Sequence, residues 1–383
     1  MKALMLASVA SMIDQFNMEN IGILEELGYQ VDVCCNFEFG STSSKERVNE
    51  FKNELKQRNI GTYSVAIPRK ISAVKDIVKA YHQVKELIEK NQYDIVHCHS
   101  PIGGVIARLA CKKQRKKGLR VIYTAHGFHF FHGAPFRNWM IFYPIEKWMS
   151  RYTDVLITIC KEDFKLAKKR MKAKEVVYSP GIGLNVEKIK NLKPNALAKR
   201  ETLEIDKQDI LLYAIGELND NKNHRIILEA FAKLKRRDVH FVVCGRGDKE
   251  SELLELAETL GIKEQVHLLG FRMDAKEWLH EADIFTFPSK REGLSVSLME
   301  AMAAGLPVVC SKIRGNVDLI DDEKGGFLCS STDSEQFLKG IKYLIEHEEE
   351  RKNMGDYNQK KIEDFHLDKV KKIMKNVYHS RRL

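Results

Sequence analysis

Phe287-Pro288-Ser289-Lys290-Arg291-Glu292-Gly293-Leu294-Ser295-Val296-Ser297-Leu298-Met299-Glu300-Ala301-Met302-Ala303-Ala304-Gly305-Leu306-Pro307-Val308-Val309 reads as a strand end, a polar loop, a helix, a Gly-Leu-Pro turn and a second strand. A strand, crossover helix and strand in succession form the βαβ unit of a parallel sheet. A helix beginning near Leu294 would aim the free N–H groups of Leu294, Ser295 and Val296 at the loop, an anion site suited to phosphate. Glu292 and Glu300 bracket that start. Eight helical residues rise about 12 Å, more than the roughly 5–9.5 Å between the carboxylates of glycosidase pairs. Carboxylates so placed suit hydrogen bonds to opposite ends of one extended polar ligand.

The same alternation runs outward through the chain. Apolar runs at 3–9, 30–35, 62–67, 94–98, 120–124, 154–159 and 175–178 predict strands, and 74–89 carries apolar residues on one helical face. It restarts with strands at 210–215, 239–244, 265–268, 283–287 and 307–310, separated by helical stretches at 226–235 and 250–260. Between the two series, 179–209 holds Pro180, Gly181, Gly183 and Pro194 and reads as a linker with a short helical segment. The expectation is an α/β chain of two doubly wound parallel-sheet domains, residues 1–180 and 181–365, facing a central cleft, with a helix at 366–383 packing back on the first. Ligands of such sheets bind beyond the carboxyl ends of the strands.

A length of 383 residues, 44% hydrophobic and 30% charged with only 8 Pro, excludes a disulfide-stapled miniprotein and a disordered or collagenous chain. The formal charge is +10. Residues 1–180 carry 29 Lys and Arg against 18 Asp and Glu, and the remainder 34 against 35, so the surplus belongs to the first half. Its densest runs, 112–117 and 168–174, contain no aromatic residue that would make a base-stacking platform. An anionic membrane surface is the better partner and nucleic acid the weaker. The 8 cysteines form no C-x-x-C pair and sit among β-branched residues, as buried reduced thiols of a cytoplasmic protein would. The apolar start 3–13 reads as a strand, and no stretch approaches the roughly 20 residues of a membrane span.

The E-x7-E spacing within Pro-Ser-x-x-Glu-Gly-Leu-Ser, followed by Glu-Ala-Met-Ala-x-Gly-x-Pro-Val-Val, resembles the family 4 retaining glycosyltransferases over essentially the whole chain. Within them it is most similar to bacterial exopolysaccharide and capsule enzymes carrying Tyr-Asp-Ile-Val-His-Cys-His-Ser-Pro (93–101), Thr-Ala-His-Gly-Phe-His-Phe (124–130) and Gly-Glu-Leu-Asn-x-Asn-Lys-Asn (216–223). The resemblance implies the GT-B fold, a nucleotide-sugar donor, most commonly UDP-linked, and no metal or other cofactor. It implies catalytic roles for Glu292 at the donor sugar, for His126, and for Lys222 against the donor diphosphate; Glu300 would hold the ribose hydroxyls. A fixed cation suits a leaving diphosphate that gains negative charge as its glycosidic bond breaks. Gly216, Gly245, Gly247, Gly293, Leu294, Ser295 and Val296 match the family's donor-binding loops.

Two departures stand out. Glu217 occupies the position where the family commonly has arginine, leaving Arg291 and Arg246 as candidates for the second diphosphate cation. After strand one the family's Gly-Gly pair is replaced by Ala7-Ser8-Val9-Ala10-Ser11-Met12-Ile13-Asp14, whose Ser8, Ser11 and Asp14 are acceptor-side candidates with His99 and His129. The cluster His126, His129 and His132 with His97 and His99 admits a zinc reading, but three-residue spacing in a Gly-broken aromatic loop matches neither an i, i+4 helical pair nor a finger. The aromatic stretch 128–148 suits a surface dipping into a lipid interface.

The expected activity is transfer of a hexose or N-acetylhexosamine from a nucleotide sugar to a polyprenyl-diphosphate-linked saccharide, at the inner face of the cytoplasmic membrane, in exopolysaccharide or capsule assembly. The alternatives are a nucleotide-sugar 2-epimerase on the same fold, a transferase with a soluble acceptor, and a basic nucleic-acid-binding protein.

Overall fold

The apolar runs assemble into two separate parallel sheets. We describe the protein from a computed structural model that covers residues 1–39 and 43–379; the last four residues of the expected carboxy-terminal helix lie outside them. The chain divides into two units, Met1–Ile182 with Asp368–Leu383, and Gly183–Leu367.

The first unit holds β1 (Lys2–Val9), β2 (Gln30–Asn36), β3 (Gly61–Ser64), β4 (Ile95–His99), β5 (Arg120–Ala125), β6 (Val155–Thr158) and β7 (Glu175–Tyr178). Their order is β3-β2-β1-β4-β5-β6-β7 and every neighbouring pair is parallel. Ala3 to Ala7 of β1 are fully buried, as expected of a central strand with helices on both faces. Its side chains alternate: Ala3, Met5 and Ala7 enter one core and Leu4 and Leu6 the other. The first core is closed by the helix Leu367–His379, whose Val370, Met374, Val377 and Tyr378 recur at helical spacing.

The second unit holds β8 (Ile210–Ile215), β9 (Val239–Cys244), β10 (Val266–Leu268), β11 (Ile284–Phe287), β12 (Val308–Ser311) and β13 (Gly326–Cys329). The order β10-β9-β8-β11-β12-β13 is again parallel throughout, over a core of Leu212, Phe231, Phe241, Val309 and Phe337 among others.

Both sheets therefore share one winding, and in each the order reverses beside the first strand. That switch point lies between β1 and β4 in the first unit and between β8 and β11 in the second. Open α/β sheets receive ligands outside the carboxyl ends of the strands at this place. In the first unit those ends deliver Ser8, His99 and Ser100, and in the second Gly216 and the loop after Phe287.

Three local expectations are corrected. The strand expected at 62–67 ends at Ser64, because Ile67 turns back to hydrogen-bond the Val65 carbonyl ahead of Pro68. The segment read as a first loop is strand to Val9 and then the helix Ala10–Phe16. The helix read from Leu294 begins at Val296. Among the described residues no helix is long and apolar enough to cross a membrane.

Candidate active site

In the second unit the loops after β8 and β11 are tied together. Asn219 Oδ1 accepts from the N–H groups of Asn221 and Lys222 at 3.0 and 2.9 Å, folding an Asx-type turn. The Asn221 carbonyl then accepts from Lys290 N–H at 2.8 Å, and Asn221 Nδ2 donates to the Arg291 carbonyl. Asn223, in the left-handed region at φ 58°, donates to the Pro288 and Ser331 carbonyls. This brace sets Lys222 Nζ 2.8 Å from Glu292 Oε1 and 4.8 Å from the centre of the Phe287 ring. Both side chains of the pair are about a fifth exposed, so the ammonium is open to a ligand from one side.

Glycine is required where these loops close on each other. A Cβ on Gly245 would lie 1.8 Å from the Gly216 carbonyl oxygen, and one on Gly247 2.0 Å from that of Leu218. A Cβ on Gly216 would press at 3.2 Å on the Lys222 side chain. The three glycines thus let β8, β9 and Lys222 stack without side chains between them. Glu217 is exposed and accepts from Asn219 Nδ2, so it takes part in the turn where the family places a cation.

The helix Val296–Ala303 is capped by Ser295, whose Oγ accepts from Leu298 N–H at 3.4 Å and meets Ser297 Oγ at 3.0 Å. The free N–H groups of its first turn are those of Val296 and Ser297, while Leu294 is a buried anchor ahead of the cap. Glu300 follows on the same helix, 4% exposed, with Lys276 Nζ 2.6 Å from Oε1. Burial pushes the Glu300 carboxyl up from the ordinary glutamate range, and Lys276 opposes that rise. The two candidate replacements for the missing cation differ in setting: Arg291 is exposed on the loop itself, and Arg246 is exposed over the Phe271 ring at 5.9 Å. Gly293 is held by a close approach, since a Cβ on Gly315 would sit 1.6 Å from its carbonyl oxygen.

Lys276 and Arg314 were not visible as site residues in the sequence. Arg314, 7% exposed, donates Nε to the Glu292 carbonyl at 3.2 Å, which puts a third cation beside the loop. Both come from segments without local periodicity, and only the Arg314-Gly315-Asn316 turn carries a signal, the glycine with positive φ.

In the first unit, Ser8 and Ser100 meet across the switch point: Ser8 N–H donates to Ser100 Oγ at 3.0 Å and the hydroxyls lie 2.8 Å apart. Ser100 holds φ 63° and ψ 151°, a region that L-residues avoid. Ser11 is buried in the helix after β1, and Asp14 is gripped by Arg47 at 2.6 and 3.0 Å. Both carboxylate oxygens of Asp14 thus accept from one guanidinium.

His126 follows β5, and its Nε2 lies 3.1 Å from Nδ1 of His99 at the end of β4. His99 Nε2 faces the Met5 sulfur at 3.2 Å. A bare lone pair against sulfur would repel, so this nitrogen carries the proton; Nδ1 of His99 then accepts from Nε2–H of His126. His126 is left with a bare Nδ1 acceptor. Burial pushes the His126 imidazole down to about 4, although the residue is only partly buried, and pushes His99 well below its ordinary value. His97 bridges Tyr378 Oη at 2.7 Å and Thr124 Oγ1 at 2.8 Å. His129 departs from this group: its ring stacks on Phe142, centroids 4.5 Å apart. Among the described residues no three His, Cys, Asp or Glu side chains are grouped to hold a metal ion.

Two family models match the chain: "Glycosyl transferase 4-like" over residues 14–160 and "Glycosyl transferases group 1" over 196–361. The protein EpsD of Bacillus subtilis, named as a glycosyltransferase, is 34% identical over 98% of this chain and 96% of its own. An Escherichia coli UDP-Gal:alpha-D-GlcNAc-diphosphoundecaprenol alpha-1,3-galactosyltransferase is 29% identical over 71% of each chain. Among solved structures, Anabaena HepE in complex with UDP superposes with a TM-score of 0.77 over 100% of both chains at 18% identity, and the lipopolysaccharide glycosyltransferase WaaG with 0.70 over 100% of both at 16%. Those two likenesses carry the GT-B fold to this chain, and the extent of the match to EpsD carries the family. The chain belongs to the group 1, family 4-like glycosyltransferases of GT-B fold.

Proposed function

We propose that this glycosyltransferase is a retaining, UDP-sugar-dependent hexosyl- or N-acetylhexosaminyltransferase that extends a polyprenyl-diphosphate-linked saccharide in bacterial surface polysaccharide assembly. The observation that carries the donor half is the Lys222–Glu292 pair beside a capped helix start at the switch point of the second unit. A nucleoside diphosphate places its negative charge against Lys222 and the Val296 and Ser297 N–H groups, with Arg291, Arg246 and Arg314 as further cations. Glu292, released from Lys222, then accepts hydrogen bonds from the sugar, and Glu300 from the ribose. As the bond from the anomeric carbon to the diphosphate oxygen breaks, its electron pair stays on UDP. The acceptor hydroxyl bonds to the anomeric carbon on the same face, and its proton goes to the departing phosphate oxygen. The cations answer the charge that grows on UDP, so the reading includes no metal.

The acceptor half is supported by the activities for which relatives are named, on diphosphoundecaprenol-linked sugars: the Escherichia coli enzyme above and a Campylobacter jejuni N-acetylgalactosaminyltransferase 31% identical over 44% of this chain. The first unit is the acceptor side in this reading, with the His126 Nδ1 acceptor for a substrate hydroxyl and an anionic cytoplasmic membrane surface as the place of work. The test is a panel of UDP-, GDP- and ADP-sugars by thermal shift, followed by transfer to a polyprenyl-diphosphate saccharide with and without a chelator. A matching donor at 100- to 1,000-fold excess over its Kd should add about 3–4 kcal/mol of stability. Stabilisation by no UDP-sugar would remove the donor assignment, and loss of transfer on chelation would remove the metal-free mechanism.

A further inference from the structure

The first unit contains a pocket that the donor chemistry does not use. It has a cavity volume of about 120 Å³ and opens to solvent, between the helices Val74–Asn91, Pro101–Ala110 and Phe136–Met149 and the segment 127–130 that follows His126. Its wall is apolar: Ile77, Ile102, Val105, Phe128, Phe142 and Ile145 line it, with the His129 ring stacked on Phe142. The charged group in the wall, Glu146, is neutralised in place. Arg108, fully buried over the Tyr123 ring, grips both of its oxygens at 2.5 and 3.1 Å. A sugar would leave its hydroxyls without partners on such a wall, at a cost that a hydrocarbon does not incur.

The surface around the pocket is equally one-sided. Of the sixteen large apolar side chains exposed among the described residues, eight lie in the segments 71–78 and 136–148, including Ile71 and Ile145 of the pocket wall. Phe136 is 77% exposed, Met140 63% and Trp148 47%. An exposed apolar patch of this concentration marks an interaction surface. Positive charge prevails along these two stretches: Lys75, Arg137 and Lys147 belong to them and Arg69, Lys70 and Lys79 flank the first, against Asp76 and the Arg108-paired Glu146. An apolar cavity whose walls come from lysine- and arginine-bearing segments matches a molecule with a hydrocarbon chain and an anionic head.

We infer that this pocket seats the isoprenoid chain of the lipid-linked acceptor, with lysines and arginines of the same segments holding its diphosphate. The inference rests on the proposed acceptor. It assigns a second recognition element to the first unit, one that reads the lipid and not the sugar.

The probes are farnesyl diphosphate, with three isoprene units, isopentenyl diphosphate, with one, and inorganic diphosphate, titrated calorimetrically into the full chain. Farnesyl diphosphate should bind at least tenfold more tightly than isopentenyl diphosphate. Val105→Trp, filling the pocket from within, should remove that preference while UDP binding is retained. Ile145→Ser at the mouth, an exposed position where folding is not at stake, should reduce it several-fold. Equal affinity for the three probes, or a chain preference untouched by both variants, overturns the inference. So does competition by monomeric short-chain phosphatidylglycerol, which carries no isoprenoid, as effective as that by farnesyl diphosphate, which would make the pocket a general lipid site. Failure of the acceptor reading looks different: the isoprenoid binds and no sugar is transferred to any lipid carrying it. Transfer with the same KM to chain-bearing and chain-less acceptors keeps that reading and removes the pocket.

Discussion

At the scale of single residues, the site is defined by groups paired before any substrate arrives. Lys222 and Glu292 neutralise each other at 2.8 Å, so a diphosphate at the proposed site would compete with a carboxylate for the ammonium. Removing the carboxylate frees the cation. Glu292→Gln should bind UDP as tightly as the parent or more so, while transfer falls by about 10²-fold or more. Lys222→Ala should weaken UDP binding by about 10- to 100-fold, the worth of one charge-assisted contact of about 1.5–3 kcal/mol. Calorimetric titration of UDP separates the two; if both variants lose affinity alike, the pair only holds the loops together. The histidines of the first unit give a second expectation. His97 is fully buried and burial pushes it down to about 3, with His126 and His99 also lowered. An unfolded histidine takes up its proton near 6.5, so between that pH and about 3 the unfolded chain binds the extra proton. Stability is therefore full above pH 6.5 and declines as pH falls through it, by about 1.4 kcal/mol per buried histidine at pH 5.5. Urea unfolding at pH 7.5 and 5.5 should show the loss, and His97→Gln should show about 1.4 kcal/mol less of it. An equal loss in the variant would assign the slope elsewhere.

At the scale of elements, the loop proposed for the donor depends on backbone contact as much as on side chains. Gly315 has φ 83°, and a Cβ there would lie 1.6 Å from the Gly293 carbonyl oxygen. Gly315→Ala should cost more than about 2 kcal/mol and weaken UDP binding, because the turn must withdraw from the loop holding Glu292. Gly22, inside the helix Met18–Glu26 with nothing within 4 Å of a Cβ, is the control: Gly22→Ala should stabilise by about 0.5–1 kcal/mol. Denaturant midpoints of the two variants moving in one direction would refute the packing argument. These contacts also mark where sequence reading stops. The strands are legible because buried parallel strands are continuous apolar runs between turn residues, as in Val239–Cys244 and Ile284–Phe287. The helix Ala10–Phe16 is not, because no Gly, Pro or Asn separates it from the apolar strand before it. The start at Val296 is displaced from Leu294 because Ser295 and Ser297 both offer capping hydroxyls, and only the Ser295 hydrogen bond to Leu298 decides between them. Lys276 and Arg314 reach the site from loops whose geometry no periodicity encodes.

At the scale of the whole molecule, the charge is more polarised than a division into sequence halves makes it. Adding 368–383 to the first unit gives it 35 Lys and Arg against 19 Asp and Glu, a net +16, and leaves the second 28 against 34, a net −6. The +10 of the chain is thus a difference between two opposed fields. An anionic surface would attract the first unit and repel the second; each lysine or arginine near such a surface would contribute about 1 kcal/mol. The full chain should cosediment with phosphatidylglycerol vesicles at about 0.05 M salt and be largely released by about 0.5 M, as screening shortens the reach of both fields. Phosphatidylcholine vesicles should retain little. The exposed Phe136 and Trp148 would account for whatever binding survives salt, because apolar burial is not screened. The Phe136→Ser and Trp148→Ser double variant should lose that remainder and keep the low-salt binding. Equal retention on both lipids at low salt would show that the charge division plays no part in membrane binding. Loss of low-salt binding in the double variant would instead make insertion of the aromatic side chains the primary event and the field a secondary aid.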